Sequence, residues 1–159
     1  MKNLIFTVIF FVFACNTANI AVSDKNKTEQ KINQLLDNWH KAAANADLEN
    51  YFDLFARDAV YLGTDAGERW TKKEFYKFCK PYFDKGKAWN FKPRNRHIYF
   101  SETGKIAWFD EILDTWMGDC RGSGVLVYKN QKWKIKQYNL AVAVPNDIIK
   151  NYVKLLKSK

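Results

Sequence analysis

Apolar and polar residues alternate over residues 121–145, and this alternation is the strongest structural signal in the chain. β-branched and aromatic residues dominate this stretch and predict two strands joined by a tight turn at residues 129–132. These strand-forming residues are Val125, Val127, Trp133, Ile135, Tyr138, Val142 and Val144. Because two strands alone are only marginally stable in water, the rest of the chain must add strands and a helical layer.

Apolar residues recur at helical spacing elsewhere in the chain and predict further elements. The first helix covers residues 28–45, with Thr28 as its N-cap, and a short second helix covers residues 48–56. The segment 146–157, after the hairpin, has the same spacing and predicts a short C-terminal helix.

A third helix is predicted after Thr71, which is a favoured N-cap residue. Glu74 stands at the capping-box position, three residues after the cap. Pro81 lies inside the helical pattern and should kink or end this helix, because proline removes a backbone donor.

Three more strands complete the expected sheet. They cover residues 59–62, residues 89–100 with a bulge near Pro93, and residues 106–116, which are apolar enough to be buried on both faces. Helices come first and strands later, which is an α+β pattern and not a parallel βαβ series. We expect one domain over residues 28–159, with a curved antiparallel sheet wrapped around the N-terminal helices.

The N-terminus has the features of an export signal. Residues 1–14 begin with a lysine and continue with about ten apolar residues, too few to span a bilayer, as in a secretory signal peptide. The end of this segment resembles a bacterial lipobox, which predicts lipidation of Cys15 and a tether over residues 15–27. The protein is then expected in the bacterial cell envelope, bound to the membrane through the lipidated cysteine. The alternative is an ordinary secretory signal and a secreted protein.

Charge and cysteine content narrow the classes of partner. The formal net charge is +9, but the lysines are scattered, and export argues against a nucleic-acid partner. The scattered lysines are more typical of a solvated basic face, or of a face that contacts an anionic membrane surface. Cys79 and Cys120 either form a disulfide or remain buried thiols. The sequence has no metal motif and no nucleotide loop, so we expect no metal and no cofactor.

Several motifs together resemble the NTF2-like superfamily, and within it the SnoaL-like, ketosteroid-isomerase-like bacterial branch. They are the loop GTDAGERW at residues 63–70, the strand IAWFDE at residues 106–111, and the hairpin RGSGVL…KWKIKQYNL…VPN. The resemblance covers about residues 28–146. It implies a cone-shaped α+β barrel with a pocket at its open end, often dimeric through the sheet.

The resemblance also implies where an isomerase would carry its acids. A catalytic aspartate would stand at the end of the first strand, where this chain has Gly63, and Asp65 lies two residues further on. An acid in a late strand would donate to an oxyanion, and Val125 stands near that position. With both acids missing, the resemblance favours binding over steroid isomerisation.

Acidic residues elsewhere are candidates for chemistry or for structure. Asp65 is either a general base or the acceptor of an Asx-type turn, and Glu68 in the same loop is expected to pair with a basic neighbour such as Arg121 or Arg69. Asp110 and Glu111 are adjacent in a strand and must point to opposite faces. Glu111 shares its face with apolar residues, so it needs a cationic partner, which Arg96, Arg94 or Arg121 would supply, or it acts catalytically.

His97, in a predicted strand, is a candidate acid–base residue, and His40 in the first helix is a weaker one. Aromatic residues are expected either to line a pocket for a flat apolar ligand or to fill the core. The expected pocket-lining set is Trp39, Tyr51, Tyr61, Trp70, Trp108 and Tyr138.

Three functions follow from these residues. The first is an exported domain that holds a small, largely apolar molecule in its cone. The second is a cofactor-independent acid–base enzyme, an isomerase, dehydratase or cyclase. Its catalytic residues would be Asp65, Glu111, Arg121 and His97. The third is a dimerisation module of the cell envelope, which would be a homodimer.

Overall fold

The computed structural model describes residues 22–158 of the chain. The predicted leader and the lipidation site Cys15 lie outside these residues. Four helices and six strands follow one another: α1 (Val22–Ala44), α2 (Leu48–Asp53), β1 (Phe55–Leu62), β2 (Arg69–Thr71), α3 (Lys72–Asp84), β3 (Lys92–Phe100), β4 (Ile106–Thr115), β5 (Gly118–Lys129), β6 (Lys132–Val142) and α4 (Ile149–Lys157).

The six strands form one sheet in the order β2-β1-β6-β5-β4-β3. All neighbours are antiparallel except β1 and β6, which run parallel. Register shifts in the β1–β6, β3–β4 and β5–β6 pairs bend the sheet. The predicted α+β class is confirmed, with helices on the concave face. The sheet does not close into a barrel, because β2 and β3 remain as its two edges.

The predicted hairpin is confirmed as the pair β5–β6, with its turn where the sequence places it. Asn130 and Gln131 have φ angles of 52° and 61°, the left-handed conformation that a two-residue type I′ turn requires. Such a turn matches the twist of the two long strands that it joins. Strand β6 then lies between β5 and β1, so this hairpin holds the middle of the sheet.

Every helix differs somewhat from its predicted extent; α4, for example, begins at Ile149 and not at residue 146. Helix α1 begins at Val22, so residues 22–27 of the predicted tether are helical, and Thr28 is not its N-cap. The Thr28 hydroxyl instead donates to the carbonyl oxygen of Asp24, one turn earlier. Pro81 does not end α3, which continues to Asp84, because near a helix end a missing N–H donor costs few hydrogen bonds. The capping box of Thr71 and Glu74 is present as predicted.

Strand β2 was not predicted, and other strands differ from their predicted extents or burial; β5, for example, already begins at Gly118. Strand β1 begins at Phe55, because α2 ends at Asp53 and does not reach residue 56. Strand β3 begins at Lys92 and not at residue 89, and its irregularity lies between Arg94 and His97, just after Pro93. Strand β4 is not buried on both faces: burial alternates along it, since helices cover only one face of the sheet.

The core lies between the helices and the concave face of the sheet. Buried residues of α1, among them Leu36 and Trp39, pack on the inward side chains of the strands. The backbone of β5 approaches closely at Gly122, where an added Cβ would overlap the Tyr138 hydroxyl. The thiols of Cys79 and Cys120 are both buried and free, so these residues do not form a disulfide in this structure.

The turn of the hairpin generates a prediction about stability. Replacing Gln131 with glycine removes the steric cost of a positive φ, so Gln131→Gly should raise the free energy of unfolding by about 0.5 to 1 kcal/mol. Urea denaturation of both proteins measures the difference. Gln131→Ala is the control and should bring no gain, because alanine has the same Cβ. A loss of stability in the glycine variant would contradict the assigned turn geometry.

Candidate functional site

A cleft of about 500 Å³ opens at one end of the sheet, where β1, β2, α3 and the β4–β5 turn meet. Residues 87–91, which connect α3 to β3, close one side of it. Most of its lining is aromatic or aliphatic. The lining residues are Tyr61, Gly63, Thr64, Glu68, Trp70, Phe75, Phe78, Tyr82, Lys87, Ala88, Trp89, Asn90, Phe91, Trp116, Met117 and Leu140.

The inner wall of this pocket is a stack of aromatic rings. The buried ring of Tyr61 stacks on Phe75 with 3.8 Å between centroids, and Trp70 stacks on Phe78 at 4.7 Å. At the rim, Tyr82 is exposed and Trp116 presents 85% of its surface to solvent. The inner wall is therefore built of stacked aromatic rings, and exposed aromatic side chains lie at the opening.

Among the described residues that line the pocket, Glu68 alone carries a carboxylate. One of its oxygens accepts a hydrogen bond from the backbone N–H of Asp65 at 3.1 Å, which fixes the carboxylate over Gly63. A Cβ at Gly63 would overlap this oxygen. The space that a side chain at position 63 would take is thus filled by the carboxylate of Glu68.

Strand pairing across the 63–70 loop could have predicted that Glu68 lies beside Gly63. The backbone N–H of Gly63 donates to the carbonyl oxygen of Glu68 at 2.8 Å, extending the β1–β2 ladder by one pair. Antiparallel pairing across the 63–70 loop therefore places Glu68 beside Gly63. The loop and its acid Glu68 were recognised from the sequence, but the expected partner of Glu68 was Arg69 or Arg121, whereas its carboxylate accepts from the Asp65 N–H.

A second polar cluster lies inside the core around Glu111, whose side chain is 0% exposed. His40 Nε2 lies 2.8 Å from Glu111 Oε1, and Arg96 Nε donates to Oε2 at 2.7 Å. The Tyr138 hydroxyl also donates to Oε1, at 3.4 Å. Arg96 reaches further, to Asp37 Oδ1 at 2.7 Å. We call these five residues the Glu111 cluster; it connects α1 with β3, β4 and β6.

Opposing forces act on the ionisation of Glu111. Burial raises the pKa of this carboxyl, but His40 and Arg96 outweigh burial through hydrogen bonds and charge, and hold the pKa below its ordinary value. Burial, together with the negative charge of Glu111, raises the pKa of Tyr138 well above its ordinary value. Glu111 is therefore ionised at neutral pH, and the Tyr138 hydroxyl keeps its proton.

The Glu111 cluster is connected with the pocket only through aromatic rings. Tyr61 lines the pocket and stacks with Tyr138 at 5.5 Å, and Tyr138 contacts Glu111. Glu111 itself does not line the pocket. Its partners among the described residues are all protein groups, and they hold the helix layer on the sheet.

The predicted acid–base residues do not share one cavity. Asp65 is exposed, and its carboxylate accepts from the Gly67 N–H at 2.8 Å in an Asx-type turn. His97 is exposed on the convex face of the sheet. Arg121 is 57% exposed on that same face, where its guanidinium lies 3.8 Å from Asp110. Glu111 points to the opposite, concave face, as the alternation along β4 predicted.

The sequence identified part of the Glu111 cluster. Arg96 was among its three expected cationic partners, but His40 was ranked below His97. The position of His40, one turn after the buried Leu36, was the signal that this histidine faces the core.

The expected pocket-lining residues occupy three different places. Tyr61 and Trp70 line the pocket. Tyr51 and Tyr138 are buried in the core, as is Trp39, which only borders a shallow groove beside α1 and α2. Trp108 is 44% exposed on the convex face, because inward positions of β4 go to its neighbours Ala107 and Phe109.

The residue expected at the isomerase's late-strand acid also faces outward. Val125 pairs with Trp108 across the β4–β5 ladder, while Gly124 and Leu126 are the buried positions beside it. The absence of an acid at Val125 therefore says nothing about the interior. The convex face also exposes Tyr99, stacked on Trp108 at 5.9 Å. This is the face through which the resemblance implies a homodimer, which stays a prediction.

Within residues 22–158, no group of three or more His, Cys, Asp or Glu side chains is arranged to hold a metal ion. None of the helices in this part of the chain is both long and apolar enough to cross a membrane.

Comparisons with known proteins agree with this architecture. The family model of the SnoaL-like domain matches residues 32–145. Comparison with curated proteins finds no match. Among solved structures, an NTF2-like protein of unknown function from Pseudomonas putida KT2440 is similar with a TM-score of 0.65 and 13% identity. The match covers 77% of this chain and 91% of that chain.

Two other solved structures show the same likeness. A protein from Novosphingobium aromaticivorans DSM 12444, named as a proposed scytalone dehydratase, has a TM-score of 0.64 and 15% identity. It matches over 77% of this chain and 89% of its own. An NTF2-like protein from Cytophaga hutchinsonii ATCC 33406 has a TM-score of 0.61 and 17% identity, over 72% and 98% of the two chains. At such identities the likeness concerns the fold alone.

The Glu111 cluster generates a prediction about stability. Glu111→Gln removes the buried negative charge that Arg96 faces, and should lower the free energy of unfolding by about 2 to 4 kcal/mol. Asp110→Asn is the matched control: it changes the adjacent carboxylate, which is partly exposed and only weakly paired, and should cost under about 1 kcal/mol. Urea denaturation at pH 7 measures both.

The pH dependence of this difference identifies its cause. A carboxyl whose pKa is lower in the folded state adds stability above its unfolded pKa of about 4.3 and loses it as pH falls through the folded pKa. The gap between wild type and Glu111→Gln should therefore be full at pH 7 and shrink below about pH 4. Equal effects of the two substitutions, or a gap that does not change with pH, would show that the charge of Glu111 is unimportant.

Proposed function

This chain belongs to the SnoaL-like domain family, and we propose that it binds a small, largely apolar molecule in the pocket between β1, α3 and the β4–β5 turn. The observation that carries this proposal is a cleft of about 500 Å³ with a stacked aromatic wall and a single fixed carboxylate. Sites for small molecules are commonly about 300 to 1,000 Å³, mostly apolar, with a few fixed polar groups.

The shape of the wall indicates the shape of the ligand. The rings of Trp70 and Phe78 stack with 23° between their planes, and Tyr61 and Phe75 are stacked at 14°. A flat ring system would bury the most apolar area against such a wall and gain offset stacking with it. We therefore expect a ligand of one or two fused rings.

Glu68 indicates which polar group the ligand carries. A carboxylate only accepts hydrogen bonds, so it favours a ligand with a hydroxyl or N–H group at the pocket mouth. Lys87, the one cation in the lining, is exposed to solvent, whereas Glu68 is half-buried and held by the Asp65 N–H. Glu68 is therefore the better placed of the two to orient the ligand.

An acid–base reaction through the four residues expected from the sequence is not part of this proposal. Asp65, His97 and Arg121 are exposed at separate places, and Glu111 is enclosed by His40 and Arg96. A general acid or base must reach the substrate directly or through one water molecule. Binding therefore agrees better with the observed positions than catalysis does.

Two tryptophans provide a test of the pocket. The probe is 2-naphthol, a flat apolar molecule with one hydroxyl donor, and binding is measured by equilibrium dialysis. Trp70→Ala removes part of the wall and should weaken binding by about tenfold, which corresponds to about 1.4 kcal/mol. Trp108→Ala, on the convex face, should leave the affinity within about twofold.

The expected preference of the pocket for a ligand with a hydroxyl group is tested with a second probe. Replacing 2-naphthol with 2-methoxynaphthalene removes the donor, so wild type should prefer 2-naphthol and Glu68→Gln should lose most of that preference. If wild type binds 2-naphthol no better than Trp70→Ala does, or if both tryptophan variants weaken binding equally, the pocket is not the binding site.

We also propose that the protein is exported and held at the bacterial cell envelope through a lipid on Cys15. Support comes from the sequence: a basic start, a short apolar segment and a cysteine directly after Ala14. Helix α1 begins at Val22, which would leave only residues 16–21 between the anchor and the folded domain. The domain would then lie close to the membrane.

Metabolic labelling tests the anchor. Cells that express the full chain are grown with a radiolabelled fatty acid, and wild type should incorporate the label into the protein. Cys15→Ser should abolish the label, because the acceptor thiol is absent. A wild-type protein that reaches the envelope without label would show that Cys15 is not lipidated.

A further inference from the structure

The C-terminal helix α4 has an apolar side that no other part of the described chain covers. Every residue of α4 is exposed, and Leu155 presents 67% of its surface to solvent. Helical spacing brings the large apolar residues of this segment to one side of the helix. This apolar side consists of Ile148, Ile149, Tyr152, Val153, Leu155 and Leu156.

The opposite side of α4 is basic. Lys150, Lys154 and Lys157 follow one another at intervals of four and three residues, which places them on one face of the helix. No acidic residue occurs over residues 148–159. The lysines of α4 therefore have no counter-charge within the segment, and the chain as a whole has a formal net charge of +9.

A helix of this length needs a surface to stabilise it. Isolated helices shorter than about 12 residues are marginal in water, since nucleation is unfavourable and few hydrogen bonds follow it. The nine residues of α4 extend about 14 Å, less than half of the roughly 30 Å hydrocarbon layer of a bilayer. A helix with these dimensions lies along a membrane surface and does not span it.

The geometry points to an anionic phospholipid bilayer as the partner of α4. Its apolar side would enter the boundary between headgroups and acyl chains, and the three lysines would face the headgroup phosphates. Charge decides between this partner and a second copy of the chain. A second α4 would bring three more lysines and no acid, so pairing of two copies would leave the positive charge of both helices uncompensated. Anionic headgroups supply the missing counter-charge.

Local amide hydrogen exchange tests the interaction in the full chain. The chain is mixed with vesicles of phosphatidylcholine containing about one third phosphatidylglycerol, and exchange over residues 149–157 is followed by mass spectrometry. In solution these amides should exchange fast. On the anionic vesicles their exchange should slow by at least about tenfold, and on pure phosphatidylcholine vesicles it should slow much less. Because the readout is confined to α4, membrane contact of the N-terminus does not affect it.

Two variants separate the apolar contribution from the charged one. Tyr152→Ser with Leu156→Ser interrupts the apolar side and should abolish protection on all vesicles. Replacing the three lysines with glutamine should leave weak protection that no longer depends on phosphatidylglycerol. Neither variant should change the thermal stability of the domain much, since every residue of α4 is exposed and the helix contributes no side chain to the core.

Three results would overturn the proposal. Exchange that stays fast on anionic vesicles would show that α4 does not bind them. Equal protection on neutral and anionic vesicles would show that the lysines do not select the lipid. Protection that appears without vesicles and grows with protein concentration would show that α4 pairs with a second copy.

Discussion

A single buried carboxylate determines how the layers of this domain fit together. Glu111 is fully buried in β4, and an isolated carboxylate there would be strongly unfavourable unless cations compensated it. Arg96 from β3 supplies the opposite charge, and His40 from α1 supplies a hydrogen bond. Because each partner comes from a different element, satisfying the carboxylate also fixes where α1 lies on the sheet. The net stabilisation by such a buried pair is small, because desolvation offsets much of the attraction, whereas removing one partner is strongly destabilising.

The Glu111 cluster and the pocket occupy different parts of the interior. Polar groups lie under α1, where neighbouring protein groups satisfy most of them. Within residues 22–158, Trp39 Nε1 and Arg96 Nη2 have no hydrogen-bond partner. Aromatic rings fill the space towards the open end, and Tyr61 and Tyr138 form the boundary through their stacked rings. A ligand in the pocket would therefore contact aromatic rings and the carboxylate of Glu68. It would not contact the charged groups of the Glu111 cluster.

Local patterns in the sequence predicted most of the fold but only part of the site. The hairpin turn, the capping box of α3 and the inward position of Glu111 follow from short-range rules, and these features were found. The pairing of Glu111 with His40 depends on how α1 crosses the sheet, which no local pattern encodes. The outward position of Trp108 depended on which face the helices cover. The partner expected for Glu68, a neighbouring arginine, was wrong because the position of its carboxylate depends on pairing across an irregular loop.

The parallel pairing of β1 with β6 has a consequence for how the domain folds during its synthesis. Strand β1 emerges early from the ribosome, but its neighbour on the inner side is the last strand of the sheet. Loop closure over such a distance is entropically unfavourable, and sheets with distant pairings fold slowly. The first half of the chain therefore has no complete sheet to fold onto until translation is almost finished. If the chain is exported as proposed above, this delay would help to keep it unfolded until it has crossed the membrane.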